Sequence, residues 1–88
     1  MVGKMAKVKA GHDKDHIYVI VREDEQYVYL ADGRYKTLQK PKKKSKKHIQ
    51  PILHKIDETL ALKLQTNDKV IDEEIKKAVK DYLTLQNM

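Results

Sequence analysis

HIYVIVREDEQYVYLA, residues His16–Ala31, decides the fold. Two runs rich in β-branched and aromatic residues, His16–Arg22 and Tyr27–Ala31, flank the all-polar connection Glu23–Gln26. Such residues suit a pleated, half-buried surface, so the two runs read as strands paired in a hairpin. Upstream, residues 4–9 (KMAKVK) alternate polar and apolar with Met5 out of phase, and read as a short strand. Between them AGHDKD (10–15) reads as a turn, where Gly11 takes a backbone conformation other residues resist. Downstream, Asp32-Gly33 signals a tight turn, and Arg34–Leu38 reads as a short returning strand. HIQP (48–51) reads as a last short strand that Pro51 ends, because proline cannot donate to a ladder.

After Pro51 the period changes. Leu53, Ile56, Leu60 and Leu64 fall at helical spacing, although Leu60, Leu62 and Leu64 also alternate as a strand would. Asp57 and Glu58 suit a helix N-terminus, and Thr66-Asn67-Asp68 breaks the pattern. Ile75, Val79, Tyr82 and Leu83 then form an apolar stripe, with Asp72, Glu73 and Glu74 at the start of that helix. The expected class is mainly β with α: four or five short strands in a small curled barrel, followed by two C-terminal helices. Residues 1–52 form the barrel with its basic loop, and residues 53–88 the helical segment packing on it.

The chain has 88 residues and no Cys, Trp or Phe, so the core must come from Val, Ile, Leu and five tyrosines. That core is thin, and stability without a partner is expected to be marginal. Lacking cysteine, the chain has no disulfide and no thiolate metal site, as suits an intracellular protein. The longest apolar run, around Ile17–Val21, is far too short for a membrane span, and MVGKMAKVKAG has no signal-peptide core. The expected compartment is the cytoplasm.

Charge is unevenly distributed. Residues 1–56 carry fourteen basic and six acidic side chains, a balance of +8, while residues 57–88 carry five and seven, a balance of −2. The densest stretch, KTLQKPKKKSKKH (36–48), has seven lysines and no acid. Taken alone it is a solvated, mobile loop. Its self-repulsion also makes it a docking site for a polyanion, with nucleic acid the first candidate. Membrane lipid is a poorer match, because no amphipathic apolar face accompanies these lysines.

The hairpin tips that balance. KVKAGHDKDHIYVIV (7–21) resembles the KOW motif, the strand–loop–strand of several ribosomal proteins and transcription elongation factors. ADGRYKTLQKPKKKSKKHIQP (31–51) looks like its continuation in small bacterial KOW-domain proteins. Those are similar to the archaeal and eukaryotic large-subunit ribosomal protein of the fourteen-e type. The resemblance puts Gly11 at the turn glycine, Ile17, Val19 and Val21 on the core side of the second strand, and Lys14 in the basic part of the loop. Asp15 stands where a second glycine is common. The resemblance implies an SH3-like barrel that binds RNA, often in the ribosome beside other ribosomal proteins, and no catalysis. Some elongation-factor KOW domains bind proteins instead, which is the alternative reading.

The expected RNA contacts are Lys9, His12 and Lys14 at the first hairpin, and Arg34, Tyr35 and Lys36 after the second turn. In the basic run they are Lys40, Lys42, Lys43, Lys44, Lys46, Lys47 and His48. Lysine supplies affinity without base reading. Arg34 and Tyr35 can grip phosphate and stack on an unpaired base, or Tyr35 can pack on the barrel edge with Arg34 merely exposed; the sequence weighs these equally. Tyr18 is expected on an outer face, and Tyr27 and Tyr29 as either core or platform. His12, Asp13, Asp15 and His16 are ligand types for zinc or manganese, but their spacing matches no established pattern, and His48 and His54 stand apart. They read as a polar turn whose Asp side chains bond local amides. With no cysteine, a single serine (Ser45) and no phosphate-cradling glycine loop, no catalytic residue, metal or cofactor is expected.

Overall fold

The computed structural model describes residues 1–53 and 56–86. His54 therefore lies outside the described residues. Five strands, β1 (Met5–Val8), β2 (Ile17–Glu23), β3 (Tyr27–Ala31), β4 (Lys42–Ser45) and β5 (Ile49–Ile52), are followed by helices α1 (Glu58–Gln65) and α2 (Asp72–Gln86). A 3-10 turn, Lys46–His48, joins β4 to β5. The strands form one antiparallel sheet in the order β4-β3-β2-β1-β5. Its edges, β4 and β5, share no ladder, so the barrel is curled but not closed.

β2 holds the sheet together because both of its faces are buried. Ile17 and Val19 join Met5 and Ala31 under the helices, against Ile56, Leu60, Leu64 and Ile75. Tyr18 and Ile20 turn into a second cluster inside the curl with Ala6, Val8, Val28, Leu30 and Ile49. Tyr18 is thus a core residue, 3 % exposed, and not the outer-face tyrosine that strand parity suggested. Parity assumes one solvated face, and the curl removes it. A bulge between Ile20 and Arg22 bends β2 and helps the sheet to curl. Within it Val21 packs against the helix-side cluster, and after it Arg22 lies over the Tyr29 ring at 4.2 Å.

Three local expectations are corrected. Residues 34–38 do not form a strand. The Asp32 carboxylate accepts from the amides of Arg34, Tyr35 and Lys36, each at 2.9 Å, which takes the donors a ladder would need. Pro51 lies inside β5 instead of ending it; β5 pairs only with β1, and an edge strand tolerates the missing donor. Leu53 is 94 % exposed and precedes α1, which starts only where the Asp57 side chain accepts from Thr59 N at 2.7 Å.

Within α1, Leu60 and Leu64 are buried one turn apart while Leu62 is exposed, which settles its helix-or-strand ambiguity. α2 buries Ile75 completely and lays Val79 and Tyr82 against the same cluster, with Leu83 exposed. Its N-terminal end is anchored at a distance: the Asp72 side chain accepts from Leu38 N at 2.8 Å.

Candidate nucleic-acid interface

The β1–β2 loop is a folded turn. Asp15 N donates to Val8 O at 2.8 Å and His16 N to Asp13 O at 3.0 Å. Gly11 sits at φ +99°, a region costly for a side chain. Asp15 also has a positive φ, +72°, at the position where the resemblance favours glycine. Of its acids, Asp15 faces Lys7 at 3.6 Å and Asp13 reaches across the fold. Besides its own amide, the Asp13 side chain engages groups well beyond the turn. Its carboxylate takes Lys42 Nζ at 3.0 Å, Lys44 Nζ at 3.4 Å and the Tyr18 hydroxyl at 3.3 Å. Burial opposes its ionisation, but the Lys42 hydrogen bond and the charges of Lys42 and Lys44 outweigh that and hold the carboxyl below its ordinary range. Burial, then the Asp13 carboxylate, push the Tyr18 phenol up to about 12.

The basic run is therefore not a mobile loop. Lys42–Ser45 is edge strand β4, with Lys42 paired to Leu30 and Lys44 to Val28. Partners across a ladder share a face, so these two lysines lie at the rim of the inner cluster, where Asp13 closes over them. Lys43, on the other face, covers the Tyr27 ring at 4.2 Å. Tyr27 and Tyr29 are thus platforms already occupied by the chain's own cations. Lys46 meets Glu23 at 3.1 Å, and its amide donates to Gln26 O, which carries it toward the β2–β3 turn. Ser45 Oγ accepts from Lys47 N at 3.3 Å and starts the 3-10 turn. That turn leaves Lys47 and His48 exposed, and Lys9 N donates to His48 O at 2.8 Å.

The expected contacts thus divide. Lys9, His12, Lys14, Lys47 and His48 are exposed around the β1–β2 loop. Among the described residues the side chains of Lys9, Lys14 and Lys47 have no carboxylate partner. Lys42 and Lys44 border the same loop but are held by Asp13, while Lys43 and Lys46 are engaged elsewhere. Lys40 is exposed beyond the loop, and Lys36, half-buried, closes the turn through its carbonyl, which accepts from Asp32 N and Gly33 N.

On the other side of the β1–β2 loop stands a second feature. His16 Nε2 and Asp32 Oδ2 are 3.0 Å apart, and the His16 ring rests on Tyr18 at 4.4 Å between centroids. Burial opposes ionisation of Asp32, but the amides of Lys36 and Arg34, the His16 ring and the Tyr35 amide keep its carboxyl below the ordinary range. The loop it organises holds Tyr35 out, 70 % exposed, with the Arg34 guanidinium 5.0 Å from the ring centroid. Tyr35 is not packed on the barrel edge. Gly33, at φ +77°, lets α2 press against this loop: a Cβ there would collide with Asp72 O and lie 2.7 Å from Lys76 N. The result is a groove of about 470 Å³ between the loop and α2, lined by His16, Arg34, Tyr35, Lys76, Lys80 and Leu83 among others. Lys76 and Lys80 were not among the contacts expected from sequence, because the helix was read for its apolar stripe and these lysines lie outside it. Their signal was an i, i+4 pair beside the apolar stripe. A cavity of about 400 Å³ on the other flank of α2 is lined by Asp57, Glu74 and Asp81 with Lys77, so it lacks the basic character of the groove.

Among the described residues no three His, Asp or Glu side chains converge as metal ligands would, and no helix is long and apolar enough to cross a membrane. A scan of the chain against protein-family models found no match, and a search of the curated proteins found none either.

Proposed function

We propose that the chain binds RNA with the face centred on the β1–β2 loop. The observation that carries this reading is the sorting of charge around that loop. Asp13 and Asp32 are engaged internally and Asp15 pairs with Lys7 at the surface, while Lys9, Lys14 and Lys47 are exposed without a carboxylate, and Arg34 stands across the neighbouring groove beside an exposed tyrosine. Exposed cations carried on hydrogen-bonded backbone turns favour a polyanion, because the backbone that presents them is already folded. The KOW-like hairpin and the basic run make structured RNA the preferred class, ribosomal RNA the target and the cytoplasm the compartment. Binding requires no catalysis, metal or cofactor.

Titration of a structured RNA against the protein by fluorescence anisotropy, between 50 and 200 mM salt, tests this. If about five cations each neutralise a phosphate, log affinity falls against log salt with a slope of roughly −3.5 to −4.5. A slope near zero would refute the reading and favour a protein-binding module. Equal affinity for duplex DNA at the same salt would refute the preference for RNA. Crosslinking in cells followed by sequencing of bound RNA should recover one region of ribosomal RNA, and a scattered recovery would exclude that target.

A further inference from the structure

The groove between the Asp32–Lys36 loop and α2 has properties that phosphate docking alone does not use. Tyr35 presents a largely exposed ring, one face of it approached by Arg34 and the other left for a ligand, on a loop whose amides are fixed by Asp32 and whose base is pinned to α2 by Gly33 and by the Asp72–Leu38 hydrogen bond. The platform is therefore built before any ligand arrives. Facing it, Lys76 and Lys80 are exposed one helical turn apart, and neither has a carboxylate partner among the described residues. Their Cβ atoms are spaced at roughly 5–6 Å, as i, i+4 residues are. Between ring and lysines the wall is partly apolar, made by Ile17, Val79 and Leu83. Of the acids that border the groove, Asp15 faces Lys7, and Asp32 is buried and saturated. The volume, about 470 Å³, lies within the roughly 300–1,000 Å³ usual for small-molecule pockets.

We infer that this groove takes an unpaired nucleotide of the bound RNA, its base stacked on Tyr35 and its flanking phosphates held by Arg34, Lys76 and Lys80. A paired helix would leave the ring and the apolar wall unused, because its bases are stacked inside. A bulge or loop nucleotide offers a free π-face together with adjacent phosphates. The inference rests on the RNA reading above and adds which RNA feature is selected and that α2 belongs to the interface.

The test compares two RNA hairpins of the same stem, one fully paired and one with a single bulged nucleotide, binding to the full chain at constant salt. The bulged hairpin is expected to bind roughly tenfold or more tightly, the range that one base–aromatic stack supplies. Tyr35→Ala should abolish that preference, bringing the bulged hairpin's affinity down to that of the paired one. The double variant Lys76→Ala/Lys80→Ala should reduce the preference and flatten the salt slope for the bulged hairpin only. All three side chains are exposed, and a circular dichroism melt matching the wild type confirms an intact fold. Equal, salt-sensitive binding of both hairpins by the wild type overturns the groove inference while sparing the RNA reading. A bulge preference that survives Tyr35→Ala also overturns it. Failure to bind either hairpin overturns both.

Discussion

Asp13 holds together a fold that its own carboxylate also mutes. Replacing it with Asn keeps the shape and removes the charge. Lys42 and Lys44, with side chains 29 % and 16 % exposed, would lose the anion they share, while the amide oxygen could still accept one hydrogen bond. A hydrogen bond involving a charged group contributes about 1.5–3 kcal/mol, and the Lys44 contact is the longer at 3.4 Å, so Asp13→Asn should cost about 2 kcal/mol. In a domain this small, each kcal/mol moves the melting temperature by about 4–8 °C, giving a fall of about 8–16 °C by circular dichroism. RNA binding should move the other way. The two released lysines border the β1–β2 loop, and each new phosphate contact steepens the salt slope by about 0.7–0.9. Titrations well below the lowered melting point should show a slope steeper by up to about 1.4–1.8. Unchanged stability would refute the clamp. Lower stability with an unchanged slope would confine the interface to Lys9, Lys14, Lys47 and the groove.

Gly33→Ala should be among the most damaging single changes, costing about 2–4 kcal/mol in urea unfolding through positive-φ strain and collision with Asp72 and Lys76. Gly11→Ala should cost less, because its Cβ would meet mainly the flexible end of Lys44 at 3.1 Å. Asp15→Gly should raise the melting temperature by about 2–4 °C, since it relieves a φ of +72° and gives up only an exposed ion pair; a lowered value would show that the Lys7 contact matters more. Asp13, Glu23, Asp24, Asp32 and Glu74 all titrate below their ordinary values when folded. Their contribution is complete above the unfolded values near about 4 and is lost as pH falls through the lower folded ones, so stability should hold between about pH 7 and 5, drop below about pH 4, and drop less in Asp13→Asn.

The hairpin could be read from sequence because its signal is local: β-branched and aromatic residues either side of a polar turn. The same holds for α2, where period and N-terminal acids agree. What escaped was non-local. Lysine is a poor strand residue, and nothing within residues 36–48 marks β4 as a strand. Its order comes from the ladder with β3 and from carboxylates at positions 13 and 23. Residues 34–38 look extended until one side chain, Asp32, takes three successive amides. Tyr18 was misplaced because the curl, a property of the whole sheet, buries a face that pairwise alternation leaves open.

These misreadings bear on function in one direction. The density of lysine in the basic run overstates the charge available to a ligand, because four of its lysines, Lys42, Lys43, Lys44 and Lys46, are occupied by Asp13, Tyr27 and Glu23. Among the described residues, the cations without a carboxylate that border the loop and the groove are spread more widely, and they include Lys9 on the first strand's exit, Lys14 on the loop, Lys47 on the 3-10 turn, and Lys76 and Lys80 on α2. A surface assembled from four separate segments gains its binding geometry only when the chain folds. An unstructured peptide of residues 36–48 should therefore bind RNA with a comparable salt slope but without discriminating a bulged hairpin from a paired one. Discrimination by that peptide would place the recognition in local sequence, and the folded arrangement of loop, turn and helix would lose its role.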